Sequence, residues 1–309
     1  MPVPRGPVHV LGATGKCGFA LCASLLADGA DIVAVVRDRA KWAAMMPGVP
    51  ARQAALAEAP ADGFPLGERG NAADPGLAAA LADASLIVSA AHARFVPALL
   101  AAAPPAARLV LMGSTRRFTR WPDVHGRGVI AGEVAFLGSG RRGVMLHPTM
   151  IYGPPAVAEN NIHRLAGLLR RLAAAGRPLA PLPQGGRAKV QPIFIGDVVA
   201  ALRLSLATAW DRAETLVIAG PEPVSYADFV RAVAAAAGLA RPLVLPVPLG
   251  LLRALAAAAR PVPFLPHLGR DELRRLCEDR AFDITPARRR LGFAPVPLAE
   301  GLRRSFQAA

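Results

Sequence analysis

The stretch Pro7-Val-His-Val-Leu-Gly-Ala-Thr-Gly-Lys-Cys-Gly18 constrains this chain more than any other. Val8 to Leu11 is a short apolar run of the kind that forms a buried strand, and the residues from Cys17 to Leu26 have helical spacing. Between them stand Gly12, Gly15 and Gly18. Gly12 permits a tight turn, Gly15 lets a pyrophosphate approach the backbone, and Gly18 lets helix and strand pack closely. The first turn of such a helix offers free N–H groups and a positive dipole end to phosphates. The stretch predicts a dinucleotide site, with Thr14, Lys16 and Cys17 as the other loop residues in contact with it. An unliganded glycine turn is the competing reading.

The next segments repeat the alternation of strand and helix. Strands are predicted over 31–37, 85–89, 108–115 and 143–146, and helices over 77–82, 95–103 and 126–137. Residues 47–70, rich in Pro, Gly and Ala, leave the third strand unplaced. This alternation implies an α/β fold, a Rossmann doubly wound parallel sheet, with ligands at the carboxyl ends of its strands. The residues expected there are Asn71 against the adenine, Ala90 and Ala91 after one strand, and Gly113, Ser114 and Thr115 after the next. Arg37 closes the second strand, where an acidic residue would bind the ribose hydroxyls of NAD. With Arg39 and Lys41 behind it, Arg37 suits the 2′-phosphate of NADP. Asp38 keeps NAD as the alternative.

Beyond Pro154 the pattern loosens. Helices near 160–174, 196–208, 225–238, 248–259 and 270–278 alternate with short strands near 189–194 and 214–219. They predict a smaller C-terminal α/β substrate lobe, so the division is 1–155 for the nucleotide-binding domain and 156–309 for the lobe, with some elements returning to the first sheet. The apolar run Leu243 to Ala259 reads either as a covered lobe helix or as a surface for a membrane or partner. Arg253 and the surrounding prolines favour the covered helix.

Composition narrows the partners. The 309 residues carry a net charge of +14, and only three of the 36 basic residues are lysines. A basic chain favours anionic ligands such as nucleotides and sugar diphosphates. Nucleic acid is disfavoured, because aromatics are 5 % and no basic–aromatic stretch occurs. Cys17, Cys22 and Cys277 form neither a redox pair nor a zinc pattern. With no membrane-length apolar segment and no room for a signal peptide before Val8, a cytoplasmic location is expected. Oligomerisation is left open.

Five segments together resemble the extended short-chain dehydrogenase/reductase family, of the NAD-dependent epimerase/dehydratase type. They are Gly12-Ala-Thr-Gly-Lys-Cys-Gly18, Met112-Gly-Ser-Thr115, His147-Pro-Thr-Met-Ile-Tyr-Gly153, Val190-Gln-Pro-Ile-Phe-Ile-Gly-Asp-Val-Val199 and Asp283-Ile-Thr-Pro-Ala-Arg-Arg-Arg-Leu-Gly292. The resemblance implies NAD(P) on the N-terminal part, substrate in the lobe, Pro148 and Thr149 at the nicotinamide end, and a structural Asp197. It also implies a small-molecule substrate, phosphorylated or nucleotide-linked.

One departure is decisive for chemistry. The family uses a Tyr-x-x-x-Lys pair on one helix face, in which the lysine lowers the tyrosine pKa. This chain has only Tyr152 and Tyr226, with Ala156 and Val230 four residues on. The family pattern places His125 at the tyrosine position and Val129 at the lysine position. A histidine titrates near neutrality and can move protons, although a residue at a helix start can equally have no chemistry. Ser114 and Thr115 can bind a substrate oxygen or only cap the strand exit. Arg116, Arg117 and Arg120 can grip an anion or form a solvated loop, whereas Glu133 and His147 read as structural. Two functions follow. One is an atypical NAD(P)-dependent oxidoreductase or sugar-nucleotide epimerase/dehydratase-like protein. The other is a non-catalytic NADP(H)-binding sensor or accessory subunit.

Overall fold

The inner strands of the central sheet are apolar on both faces, which requires cover on both sides. The computed structural model describes residues 6–56, 75–121, 123–155, 161–174, 178–258 and 270–307. Its central sheet is built from β1 (Val8–Leu11), β2 (Ile32–Val36), β3 (Ala51–Gln53), β4 (Leu86–Ser89), β5 (Arg108–Met112), β6 (Gly143–Pro148) and β11 (Ala213–Ile218). The seven strands run parallel in the order β11-β6-β5-β4-β1-β2-β3. The order reverses at β1, and this switch point opens the crevice in which doubly wound sheets bind ligands.

Alternate residues feed two cores. Val8, Val10, Leu86, Val88, Val110 and Val144 face one side, covered by α1 (Lys16–Ala27), α2 (Arg39–Met45), α7 (Ile195–Ala207) and α11 (Thr285–Leu291). Leu11, Ile87, Leu109, Leu111 and Met145 face the other, covered by α3 (Pro75–Leu81), α4 (Val96–Ala102) and α5 (Val124–Leu137). Each fully buried aliphatic side chain contributes about 1.5–3 kcal/mol, against about 0–1 kcal/mol for an exposed ion pair, so these two faces decide the fold.

After β6 the chain leaves the sheet and returns to it through β11. The excursion and the C-terminal segment form three two-stranded ladders. These pair β7 (Ile151–Tyr152) with β10 (Ile193–Phe194), β8 (Leu179–Pro183) with β13 (Leu243–Val247), and β9 (Lys189–Val190) with β12 (Val224–Ser225). Around them pack α6 (Asn161–Ala174), α8 (Tyr226–Ala236), α9 (Leu249–Ala258), α10 (Arg270–Arg275) and α12 (Leu298–Gln307). The apolar run Leu243 to Ala259 is not one continuous element. It divides into β13 and α9 around Pro248, because a proline there supplies no N–H to continue the strand and readily precedes a helix. Among the described residues, no helix is long and apolar enough to cross a membrane.

Asp197, in the first turn of α7, ties the C-terminal segment down. It is 6 % exposed and its carboxylate accepts the Val296 N–H at 3.1 Å. Burial pushes the carboxyl up to about 6 from 3.8, against the pull of that hydrogen bond and of Arg304. The folded chain therefore holds this proton more tightly than the unfolded chain, and stability falls as pH rises from about 4 to 6. Asp197→Asn, which keeps an acceptor for Val296, is expected to leave stability unchanged at pH 4. At pH 8 it should raise stability by up to about 3 kcal/mol. Urea midpoints at the two pH values check this, and a midpoint lowered at pH 8 would contradict it.

Candidate functional site

The glycine turn has the geometry that its spacing implies. Gly12 has φ +71°, and a Cβ there would lie 2.7 Å from the Ala91 nitrogen and 2.9 Å from the Ala90 carbonyl carbon. Ala90 in turn donates its N–H to the Leu11 carbonyl, so the exits of β1 and β4 are fastened together. A Cβ on Gly18 would lie 2.2 Å from the Gly12 carbonyl oxygen, so α1 can start this close to β1 only with glycine at that position. Gly15 is the N-cap of α1. No side chain caps this helix, and its first turn holds no acidic residue. The first-turn amides, including those of Lys16 and Cys17, are thus left for an anion. Burial pushes the Cys17 thiol up to about 11, which keeps it protonated and neutral beside such an anion.

At the exit of β2, Arg37 is exposed and has no ion-pair partner among the described residues. Asp38 is the N-cap of α2 and accepts the Lys41 N–H at 2.9 Å. Its carboxylate is therefore already engaged in capping. Asn71 lies outside the described residues.

The exits of β5 and β6 interlock. A Cβ on Gly113 would lie 2.4 Å from His147 Nδ1, so the glycine leaves room for that ring. His147, buried, accepts the Ser114 N–H on Nδ1 at 3.1 Å. Its Nε2 lies 3.2 Å from Glu133 Oε2, which also lies 2.5 Å from Arg117 Nε. Glu133 and Arg117 thus form a largely buried ion pair beneath the strand ends. Ser114 Oγ accepts the Arg116 N–H at 3.2 Å and caps the 3₁₀ turn Thr115–Phe118. The Thr115 hydroxyl, buried, donates to the Pro148 carbonyl at 3.2 Å. The Thr149 hydroxyl donates to the Gln191 carbonyl at 2.5 Å. Gln191, in the Val190–Val199 segment but without a role predicted from sequence, is a buried hub. Its side-chain amide N–H donates to the Gly220 carbonyl, and its side-chain Oε1 accepts the Phe282 N–H, both at 2.8 Å.

His125 opens α5. The N-cap of that helix is Asp123, which accepts the Gly126 N–H at 2.8 Å and pairs with Arg116 at 3.1 Å and Arg275 at 3.0 Å. His125 lies beside His92, with ring centroids 3.9 Å apart and an edge-on arrangement. His92, Arg94, Asp123, Val124 and His125 line a cavity of about 320 Å³. Desolvation first, and then Arg116, hold the His125 imidazole below its ordinary 6.5. Val129, one turn along, is 1 % exposed and packs in the core between α5 and the sheet. His92 stands directly after Ala90-Ala91 at the exit of β4.

No protein-family model and no curated protein sequence matches the chain. Its solved structural neighbours are informative. UDP-glucose 4-epimerase from Thermotoga maritima, solved with UDP-glucose, is 13 % identical over 98 % of both chains, with a TM-score of 0.67. The UDP-glucuronic acid 4-epimerase of Bacillus cereus, solved with UDP-glucuronic acid and NAD, is 16 % identical over 98 % of both, with a TM-score of 0.66. The fold is that of the nucleotide-sugar epimerases. A third neighbour, a nucleoside-diphosphate-sugar epimerase from Pseudomonas aeruginosa, is 18 % identical over 98 % of this chain and 97 % of its own, with a TM-score of 0.68. The seven-stranded parallel sheet with helices on both faces is common to this group, and identities this low carry the fold alone.

Proposed function

We propose that this chain is an NADP-dependent oxidoreductase of epimerase type, acting on a nucleotide-linked small molecule, with His125 in the proton-transfer role. The observation that carries the reading is the uncapped first turn of α1 behind a glycine cradle that a Cβ would fill. Gly12, Thr14, Gly15, Lys16, Cys17 and Gly18 would hold the pyrophosphate. Arg37 would take the 2′-phosphate, Ala90, Ala91 and Gly113 would floor the site, and Pro148 and Thr149 would flank the nicotinamide. When bound, the cofactor supplies a hydride acceptor and donor. The chain supplies the proton: a neutral His125 nitrogen takes it from a substrate hydroxyl and returns it when a carbonyl is reduced. Ser114, at the exit of β5, would line the substrate side, while the inward-turned Thr115 hydroxyl would hold that exit against β6.

Cofactor choice can be read directly. NADPH is expected to bind at least tenfold more tightly than NADH, and Arg37→Ala is expected to remove most of that preference. Fluorescence titration of both nucleotides on both proteins measures it. Equal affinities untouched by the substitution would contradict the role of Arg37. Turnover is tested with NADP(H) against UDP-sugars and simple ketones.

A non-catalytic NADP(H) sensor or accessory subunit is the second reading, and one observation favours it. The helix position where the family carries its lysine is a core valine, Val129, so no cation stands there for the nicotinamide ribose. Tight NADPH binding without turnover on any of these substrates would select it.

A further inference from the structure

The turn after β4 carries a second imidazole that has no place in the reading above. His92 begins the 3₁₀ turn Ala93–Phe95, and its Nδ1 accepts the Arg94 N–H at 3.0 Å. An accepting Nδ1 leaves the proton of the neutral ring on Nε2. That Nε2 is buried without a hydrogen-bond partner among the described residues. The ring meets His125 edge-on, 3.9 Å between centroids.

This contact depends on how closely α5 approaches the turn. Gly128 lies one helical turn beyond His125, and a Cβ on it would lie 3.1 Å from His92 Cε1 and 3.1 Å from Arg94 Cβ. A side chain there would press on both by a few tenths of an ångström, so glycine eases this close approach. The carboxylate next to the pair is already engaged, since Asp123 caps α5 and binds Arg116 and Arg275. The orienting neighbour of His125 is therefore another imidazole, where hydrolytic triads use a carboxylate. A neutral orienting group needs no ionisation of its own. Burial holds His92 down at about 4, helped by His125, Arg94 and Arg116 and opposed by Asp123. The charged groups facing His125 are Arg116, Arg94 and Arg275, with Asp123 opposing them.

We propose that His92 is the positioning residue for His125: pinned by the Arg94 amide and admitted by Gly128, its ring fixes the His125 ring at the wall of the cavity for proton transfer. This rests on the reading of His125 as the acid/base group. In this role His92 acts through His125 and transfers no proton itself.

The test separates the ring from the turn it caps. His92→Asn keeps an N-cap acceptor for the Arg94 amide and removes the ring. In the full-length chain, NMR titration of the His125 imidazole is expected to run below 6.5 in the wild type. In His92→Asn it should shift from the wild-type value, because the ring packed against His125 is gone. Gly128→Ala, which crowds the His92 ring, is expected to disturb the same titration, and it serves if the asparagine variant fails to fold. On an active substrate, His92→Asn is expected to lower kcat about 10–100-fold with KM unchanged, as misplacement of a catalytic group does. Wild-type titration and wild-type kcat in His92→Asn would overturn the proposal, since a purely structural cap is rescued by asparagine. The NMR readout needs no turnover. A shifted titration with activity surviving in His125→Phe would refute the acid/base reading while leaving the contact intact.

Discussion

Replacing His125 with phenylalanine is expected to lower kcat about 100–10,000-fold, the range that a positioned general acid or base contributes. NADPH affinity should be unchanged, because the glycine cradle and Arg37 lie on other elements. The alternatives for proton transfer are few. Tyr152 is buried with its hydroxyl facing the Leu298 carbonyl, and burial pushes the hydroxyls of both Tyr152 and Tyr226 above their ordinary value. The Thr115 hydroxyl is donated to Pro148, and Ser114 caps a turn. His125 alone among these groups borders the cavity and can serve as a base near pH 7. Because its imidazole titrates below 6.5, the base form persists above that pH, and alcohol oxidation should lose rate only on the acid side. A pH profile of kcat/KM for wild type and variant checks both claims. Retention of more than a tenth of the activity in His125→Phe would move the proton elsewhere, with Ser114 the first residue to examine.

How much of this site the sequence exposes depends on whether its signals are local. Val8–Leu11, the Gly12 turn and α1 are legible because strand, turn and helix succeed one another within one short stretch. The strand ends carrying Ala90, Gly113 and Pro148 are equally legible, since parallel strands buried on both faces are continuous apolar runs. β3 is not, because Ala51–Gln53 is a three-residue edge strand with one neighbour and little burial, so no periodicity marks it. The run from Leu243 to Ala259 is apolar throughout, and only tertiary pairing of Leu243 with Leu179 makes its first part a strand. Hydroxyl roles are the least legible. Nothing in Met112-Gly-Ser-Thr115 tells that Thr115 turns inward to a backbone carbonyl while Ser114 caps a turn. The meeting of His92 and His125 is invisible for the same reason: it depends on two helices' worth of packing that no local pattern encodes.

That packing can be broken at one position. A Cβ on Gly132 would lie 2.0 Å from the Ala93 carbonyl oxygen and 2.7 Å from its carbonyl carbon. The obstacle is backbone, not the end of a flexible side chain, so either α5 or the Ala93–Phe95 turn must move. Overpacking of this kind costs about 1–3 kcal/mol, occasionally more. Alanine gains about 1 kcal/mol over glycine in a helix interior, so the clash outweighs propensity and Gly132→Ala is expected to be destabilising. Gly167 on α6 provides the opposite case: a Cβ there would meet nothing within 4 Å, so Gly167→Ala is expected to stabilise by about 0.5–1 kcal/mol. Urea midpoints should therefore move in opposite directions for the same chemical change. If both rose, α5 would not depend on glycine for its approach to the turn after β4. If Gly132→Ala fell as expected, its folded fraction should also show a lowered kcat, because the helix that carries His125 would then stand further from the ring that holds it.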